Sequence, residues 1–330
     1  MSRERLSRRR LLRTTGSVGA VAATAALTGT AAGRRATGED DPWFDRGPLN
    51  VAHRGGGGQA PENTLLAMRA AVERGADVIE FDIRESADGE LVAIHDETVD
   101  RTTDGTGRID ERTLAELRSL DAAHSFVPDC GTCEDRSAEE YTLRGYATGD
   151  REIPDGLAAE YGLDSVTPAD FRMPTVETVL ETFPETTLSF EFKGGDIQTL
   201  GALLEEYNRG GADAIVGAFD GDVLDEFRDA APHVPTAASE WEVYDFLARS
   251  CFGKPLPDDP AYDALLIPPE RYWIELVDED RVADAREIGV PIHTWTVDER
   301  EQMQSLLDAG VEGIITDYVT RLEDVLSGRN

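Results

Sequence analysis

The chain has 330 residues, 40% of them apolar, enough to bury one large core rather than remain disordered or fibrous. It carries 66 acidic against 32 basic residues, and lysine is confined to Lys193 and Lys254. Negative charge spread so evenly disfavours nucleic acid and anionic membrane surfaces as partners.

The first 33 residues read as a leader rather than as part of the fold. Ser7-Arg8-Arg9-Arg10-Leu11-Leu12 is a twin-arginine pattern, and an Ala/Gly/Thr-rich apolar run follows over 16–32. Thr30-Ala31-Ala32 supplies small residues for cleavage. The run is short and mild for a spanning helix. The expectation is a twin-arginine signal peptide over 1–33, export by that machinery and an extracellular protein with no stable membrane insertion. A basic disordered tail or a retained anchor is the alternative. Six arginines and one acid lie in this leader, so the remainder holds 26 basic and 65 acidic residues, a net charge of −39. Such a surface repels itself in dilute buffer but is screened at high salt, where the Debye length is about 3 Å at 1 M. It reads as an adaptation to high salt. Residues 34–47 read as a linker, and 48–330 as one catalytic domain.

Leu49–Ala52 reads as a strand, broken by His53-Arg54-Gly55 and a glycine loop, Gly55–Gly58, that would let backbone N–H groups approach a ligand. Pro61-Glu62-Asn63-Thr64 opens a helix, with Asn63 as its N-cap. Over 77–83 the alternation sets Val78, Glu80 and Asp82 on one strand face and Ile79, Phe81 and Ile83 on the other. Glu80 and Asp82 repel each other there, and a buried face tolerates them only with a cation between them. A hard divalent cation suits oxygen ligands. Asp88-Gly89 signals a hairpin. A two-residue turn would pair Ala87 with Glu90 and bring His95 opposite Asp82.

Parallel strand candidates are 49–52, 78–83, 187–192, 213–218, 235–238, 263–267, 290–296 and 312–316, most of them separated by helical patterns. Eight strand–helix units predict a (β/α)8 TIM barrel, with a hairpin extension after the second strand. The active site then lies at the C-terminal strand ends, where His53, Glu80, Asp82 and Glu191 all fall. Residues at about 121–172 interrupt the pattern and read as an inserted lid or subdomain on that face. Cys130 and Cys133 within it suit a local disulfide in an exported protein, and Cys251 reads as buried and free. Glu191 and Lys193 alternate with Phe190 and Phe192. On pattern alone they are equally a carboxylate–lysine pair and a third metal ligand with a neighbouring cation. His53 and His95, flanking an acidic site at one rim, fit proton transfer.

The chain from about Leu49 to Leu326 resembles the glycerophosphodiester phosphodiesterase family. The resemblance rests on HRG at 53–55, PENT at 61–64, EFD at 80–82, HD at 95–96, RTTDGTG at 101–107, EFK at 191–193, TWTVD at 294–298 and GIITD at 313–317. It implies hydrolysis of glycerophosphodiesters to sn-glycerol 3-phosphate and an alcohol. A phospholipase-like diesterase acting on intact lipids is the alternative. It further implies Glu80, Asp82 and Glu191 as ligands of a divalent ion, Mg²⁺ or Ca²⁺, and His53 and His95 as the acid–base pair. Arg54 and Lys193 become candidates for the phosphate oxygens, and Glu62 for the metal or glycerol side. Trp295 walls the pocket or packs in the core. The implied partner is a small-molecule glycerophosphodiester.

Overall fold

The computed structural model describes residues 47–133, 136–211 and 213–329. The leader expected over 1–33, and the linker apart from Gly47, lie outside the described residues.

β1 (Leu49–Ala52) leads into α1 (Leu65–Glu73). β2 (Val78–Glu85) doubles back as β3 (Leu91–Ala93), and a short α2 (Leu114–Leu117) follows. The insertion contributes the ribbon β4 (Phe126–Val127) and β5 (Gly131–Thr132), then α3 (Leu157–Glu160). The regular alternation resumes with α4 (Val176–Thr182), β6 (Thr187–Gly194), α5 (Ile197–Glu206), β7 (Ala214–Gly217) and α6 (Gly221–Ala230). Next come α7 (Glu240–Cys251), β8 (Leu265–Ile267), the small hairpin β9 (Glu270–Arg271) and β10 (Ile274–Glu275), and α8 (Glu279–Glu287). β11 (Ile292–Thr294), α9 (Arg300–Ala309), β12 (Gly313–Thr316) and α10 (Val319–Ser327) complete the chain.

The parallel strands run β7-β6-β2-β1-β12-β11-β8. The stretch 235–238 forms the eighth stave, bridging β7 through Val216–Thr236 and the β8 side through Ala237–Ala264, both parallel. The (β/α)8 barrel is therefore closed. Period-two alternation sorts the side chains as the strands predict. Val51, Val78, Ile215, Ala264 and Ile315 pack inside the barrel. Ile79, Phe81, Ile83, Leu188 and Phe190 face outward, under Met68, Val179 and Leu200 of the helices. Among the described residues, no helix is long and apolar enough to cross a membrane.

Two local expectations need correction. The β2–β3 hairpin pairs Ile83 with Ala93 and Glu85 with Leu91. Ser86 bonds Glu90 across a three-residue loop whose last residue, Gly89, has φ +83°. That extra residue slips the register by one, so Ile94 rather than His95 meets Asp82, through an Ile94 N–H to Asp82 carbonyl bond of 3.0 Å. Asn63 does not cap α1, because Thr64 does, its hydroxyl accepting from the Ala67 N–H. The insertion packs against α1. Phe126, Leu143, Tyr146, Leu157 and Phe171 form one core with Leu66, Ala67 and Ala70 of α1. Arg69 fastens it further through a 2.6 Å bond to Asp170. The β4–β5 ribbon, which carries the Cys130–Cys133 disulfide, reaches the glycine loop. There the Asp129 N–H bonds the Gly58 carbonyl at 3.0 Å.

Candidate metal and acid–base site

The parallel register builds the site. β2 and β6 pair Glu80 with Ser189 and Asp82 with Glu191, so the inward faces of two neighbouring strands present three carboxylates together. Glu80, Asp82 and Glu191 each offer an oxygen within 4.8 Å of the others. Glu80 and Asp82 are buried, at 4% and 0% exposure. Burial first, and then the charge of Asp82, push the Glu80 carboxyl up to about 8. One Glu80 oxygen accepts the Arg54 N–H at 2.8 Å, while the other, Oε1, is buried with no hydrogen-bond partner among the described residues. An orphaned carboxylate oxygen beside two further carboxylates is a cluster that lacks positive charge. The donors are all oxygen, which fits a hard ion such as Mg²⁺ or Ca²⁺ better than zinc. Lys193 supplies part of that charge, its Nζ lying 2.5 Å from Glu191 and 3.4 Å from Asp82. The carboxylate–lysine pair and the three-carboxylate cluster are thus both present.

Each candidate histidine is backed by a carboxylate. His53 follows β1 and Asp317 follows β12, and those strands pair Ala52 with Thr316. Barrel closure therefore sets the two side by side, with Nδ1 of His53 at 2.8 Å from the Asp317 carboxylate. Burial alone would lower the His53 pKa, but the Asp317 bond and the Glu80 charge outweigh it and hold it at about 9. His95 repeats the pattern with its neighbour, Nδ1 to Asp96 at 2.6 Å. Partial burial would raise Asp96, yet Arg101 and His95 keep it at about 2. In both dyads Nδ1 is engaged, and Nε2 is the remaining ring nitrogen.

A charged network joins the two histidine sides. Arg101 bonds Asp96 at 2.5 Å and Glu62 at 2.6 Å. Glu62 also accepts Arg54 at 3.0 Å and Thr132 of the insertion ribbon at 3.1 Å. Burial opposes the charge on Glu62, but Arg101 and Arg54 hold its pKa at about 2. Arg54 Nε lies 3.2 Å from Asp82, which completes the link to the cluster. Glu62 is therefore clamped between two arginines. Arg54 and Lys193, expected to face phosphate, are both turned onto carboxylates. Asn63 clasps Asp82 from both ends, donating Nδ2 to the carboxylate at 2.9 Å and accepting the Asp82 N–H at 3.1 Å.

The glycine loop is built for packing. The N–H groups of Gly56 and Gly57 bond the His53 carbonyl, and that of Gly58 bonds the Asp317 carbonyl. A Cβ on Gly55 would stand 2.9 Å from the Met68 nitrogen, and one on Gly58 would stand 2.6 Å from the Tyr318 ring. Trp295 is half-buried. It packs against the barrel interior and lines a cavity of about 330 Å³ that opens beside His53, Glu80 and Glu191. Cys251 is free but exposed at the end of α7, not buried. Sequence reasoning assigned no role to Asp317 and Arg101. Both sit inside quoted motifs, GIITD and RTTDGTG, which were the available signals.

The sequence profile of the glycerophosphoryl diester phosphodiesterase family matches residues 53–321. A glycerophosphodiester phosphodiesterase of Caldanaerobacter subterraneus subsp. tengcongensis is 30% identical over 82% of this chain and 93% of its own length. One from Bacillus subtilis is 27% identical over 85% and 87%. Among solved structures, the glycerophosphoryl diester phosphodiesterase domain of a Mycobacterium tuberculosis protein superposes with a TM-score of 0.65 at 20% identity, covering 86% of this chain and all of that one. A phosphodiesterase from Oleispira antarctica, solved in complex with the product sn-glycerol-3-phosphate, superposes with a TM-score of 0.60 at 21% identity over 85% and 97%.

Proposed function

Because this chain belongs to the glycerophosphoryl diester phosphodiesterase family, and is a phosphoric diester hydrolase of glycerophosphodiesters, we propose that it releases sn-glycerol 3-phosphate and an alcohol by metal-assisted acid–base catalysis. The observation that carries this reading is the convergence of Glu80, Asp82 and Glu191 beside a carboxylate-backed His53. Those three residues would hold a divalent cation, which would polarise the phosphoryl group and offset its developing charge.

The remaining work falls to the chain's own side chains. Arg54 and Lys193 exchange carboxylate contacts for phosphate oxygens, with Lys193 freed once the cluster has another cation. Glu62, fixed by Arg101, accepts hydrogen bonds from the glycerol hydroxyls. His53 carries a proton at neutral pH because Asp317 backs it, and it delivers that proton to the departing alkoxide. His95, oriented by Asp96, removes the proton from the attacking hydroxyl. That hydroxyl is the substrate's own neighbouring glycerol group, which gives a cyclic phosphate that water then opens. Hydrolysis of glycerophosphoethanolamine and glycerophosphoethanol in molar salt, with and without chelator and with glycerol 3-phosphate as the measured product, tests the reading. Undiminished turnover after chelation would remove the cation from it.

The twin-arginine pattern and the acidic composition further support export into a saline exterior. Replacing Arg8 and Arg9 by lysine and following the protein between cell and medium tests this.

A further inference from the structure

The cavity beside the catalytic cluster takes polar groups from His53, Glu80 and Glu191 on the cluster side and from Ser189, Glu240, Glu270 and Arg271 elsewhere in its lining. Its apolar walls are Phe219, Val243, Leu247, Leu266, Leu276 and Trp295. Arg54, Glu62 and Arg101, the groups suited to glycerol and phosphate, do not line it. A hydroxyl or ammonium group pressed against such walls would lose its water without gaining a partner. Aromatic walls can instead receive a quaternary ammonium, but cations already stand at Phe219 and Tyr244. The Lys193 ammonium stands 5.2 Å from the Phe219 ring centre. The Arg271 guanidinium, also in the lining, lies 5.7 Å from the Tyr244 ring centre and 3.1 Å from Glu240. A second cation would meet both charges, whereas a hydrocarbon chain needs no polar partner and can lie along Phe219, Val243, Leu247, Leu266, Leu276 and Trp295.

Large apolar side chains stand exposed next to the lining residues. The β9–β10 hairpin lends Glu270 and Arg271 to the cavity, and Leu276 follows it. Its turn is Tyr272-Trp273, at φ +53° and +67°. Backbone of this kind is usually filled by Asn-Gly, and bulky residues adopt it at a cost. Yet Tyr272 is 79% exposed, Trp273 96% and the adjoining Ile274 62%. On α7, Trp241 beside Glu240 is 76% exposed. Apolar groups held out in this way, on residues adjoining those that line the cavity, mark a surface that apolar matter covers.

Resting on the hydrolase reading above, we propose that the preferred substrates are glycerophosphodiesters whose departing alcohol carries a hydrocarbon chain. The chain lies in the cavity between Phe219, Leu247 and Trp295, and the Tyr272–Trp273 turn gathers it at the mouth. One water is consumed. The bond from phosphorus to the chain-bearing oxygen breaks, and that oxygen leaves with a proton as the long-chain alcohol.

The test is a series of glycerol 3-phosphate esters of n-alkanols, ethyl to decyl, each kept below its micelle concentration. The expected kcat/KM rises by roughly two- to fourfold per added methylene and levels off once the cavity is full. Leu247→Trp, which fills the cavity, lowers the decyl-to-ethyl ratio at least tenfold. The double variant Tyr272→Ser/Trp273→Ser lowers the same ratio several-fold. Because these readouts are ratios, a general loss of folded enzyme does not mimic them. A flat chain-length profile with good ethyl turnover would overturn this inference and leave the hydrolase reading intact, as would glycerophosphocholine outpacing the decyl ester. Ratios unchanged in the variants would remove the cavity and the turn from the account. No turnover of any diester would sink the hydrolase reading, and this inference with it.

Discussion

Asp317→Asn separates the account's electrostatics from mere packing. In the native chain His53 is held at about 9, some 2.5 pH units above its ordinary 6.5, which corresponds to about 3 kcal/mol favouring the charged ring. The Asp317 bond is the principal favourable contributor, ahead of the Glu80 charge. A hydrogen bond to a charged group contributes roughly 1.5–3 kcal/mol, so the asparagine variant should lower the His53 pKa by about 1–2 pH units. A histidine raised in the folded state stabilises the fold fully below its unfolded pKa and loses that contribution as pH rises through the folded one. Asp317→Asn should therefore destabilise by about 1.5–3 kcal/mol at pH 6 and by much less at pH 10. Imidazole NMR titration reads the pKa directly, and urea unfolding at the two pH values reads the linkage. If the proton is donated by His53, the alkaline limb of the kcat profile should fall with the same shift. An unmoved His53 titration, or an equal loss of stability at both pH values, would refute the reasoning.

His53→Ala and His95→Ala should each cost on the order of 10²–10⁴-fold in kcat while leaving binding of a glycerol phosphate analogue intact. A nitrophenyl diester, which needs no protonation to depart, should rescue His53→Ala more than His95→Ala, and equal rescue would undo the assignment of roles. Gly58→Ala would drive a methyl into Tyr318 and should cost about 1–3 kcal/mol of stability, with unchanged denaturant melting as the contrary result. With net charge −34 on the whole chain, transfer from molar to millimolar salt should lower Tm markedly through self-repulsion, and a constant Tm would contradict the reading of salt adaptation.

The barrel was legible because alternation with period two separates Glu80 and Asp82 from Phe81 and Ile83, and that sorting is local. The meeting of Asp82 with Glu191 was not legible from pattern, because it depends on the register between strands more than a hundred residues apart. Asp317 escaped for the same reason. Only closure between the first and last strands, pairing Ala52 with Thr316, makes it a neighbour of His53. The hairpin misled at short range. Asp88-Gly89 fits a two-residue turn, but the chain takes a third residue and uses Gly89 for its positive φ. Asn63 and Thr64 are both good caps, and the buried demand of Asp82 for a donor decided which of them was free to cap. The cavity and the aromatic turn left no periodic signal, since their residues come from many separate strands, helices and loops.

The central claim is that Glu80, Asp82 and Glu191 hold a divalent cation on which hydrolysis depends. Titrating Mg²⁺ and Ca²⁺ calorimetrically into chelator-stripped native protein, Glu80→Gln and Glu191→Gln, alongside glycerophosphodiester turnover, tests it most directly. The account predicts one site per chain in the native protein, its loss or severe weakening in both variants, and turnover that follows occupancy. Full turnover by stripped protein, or native ion affinity in both variants, would contradict it.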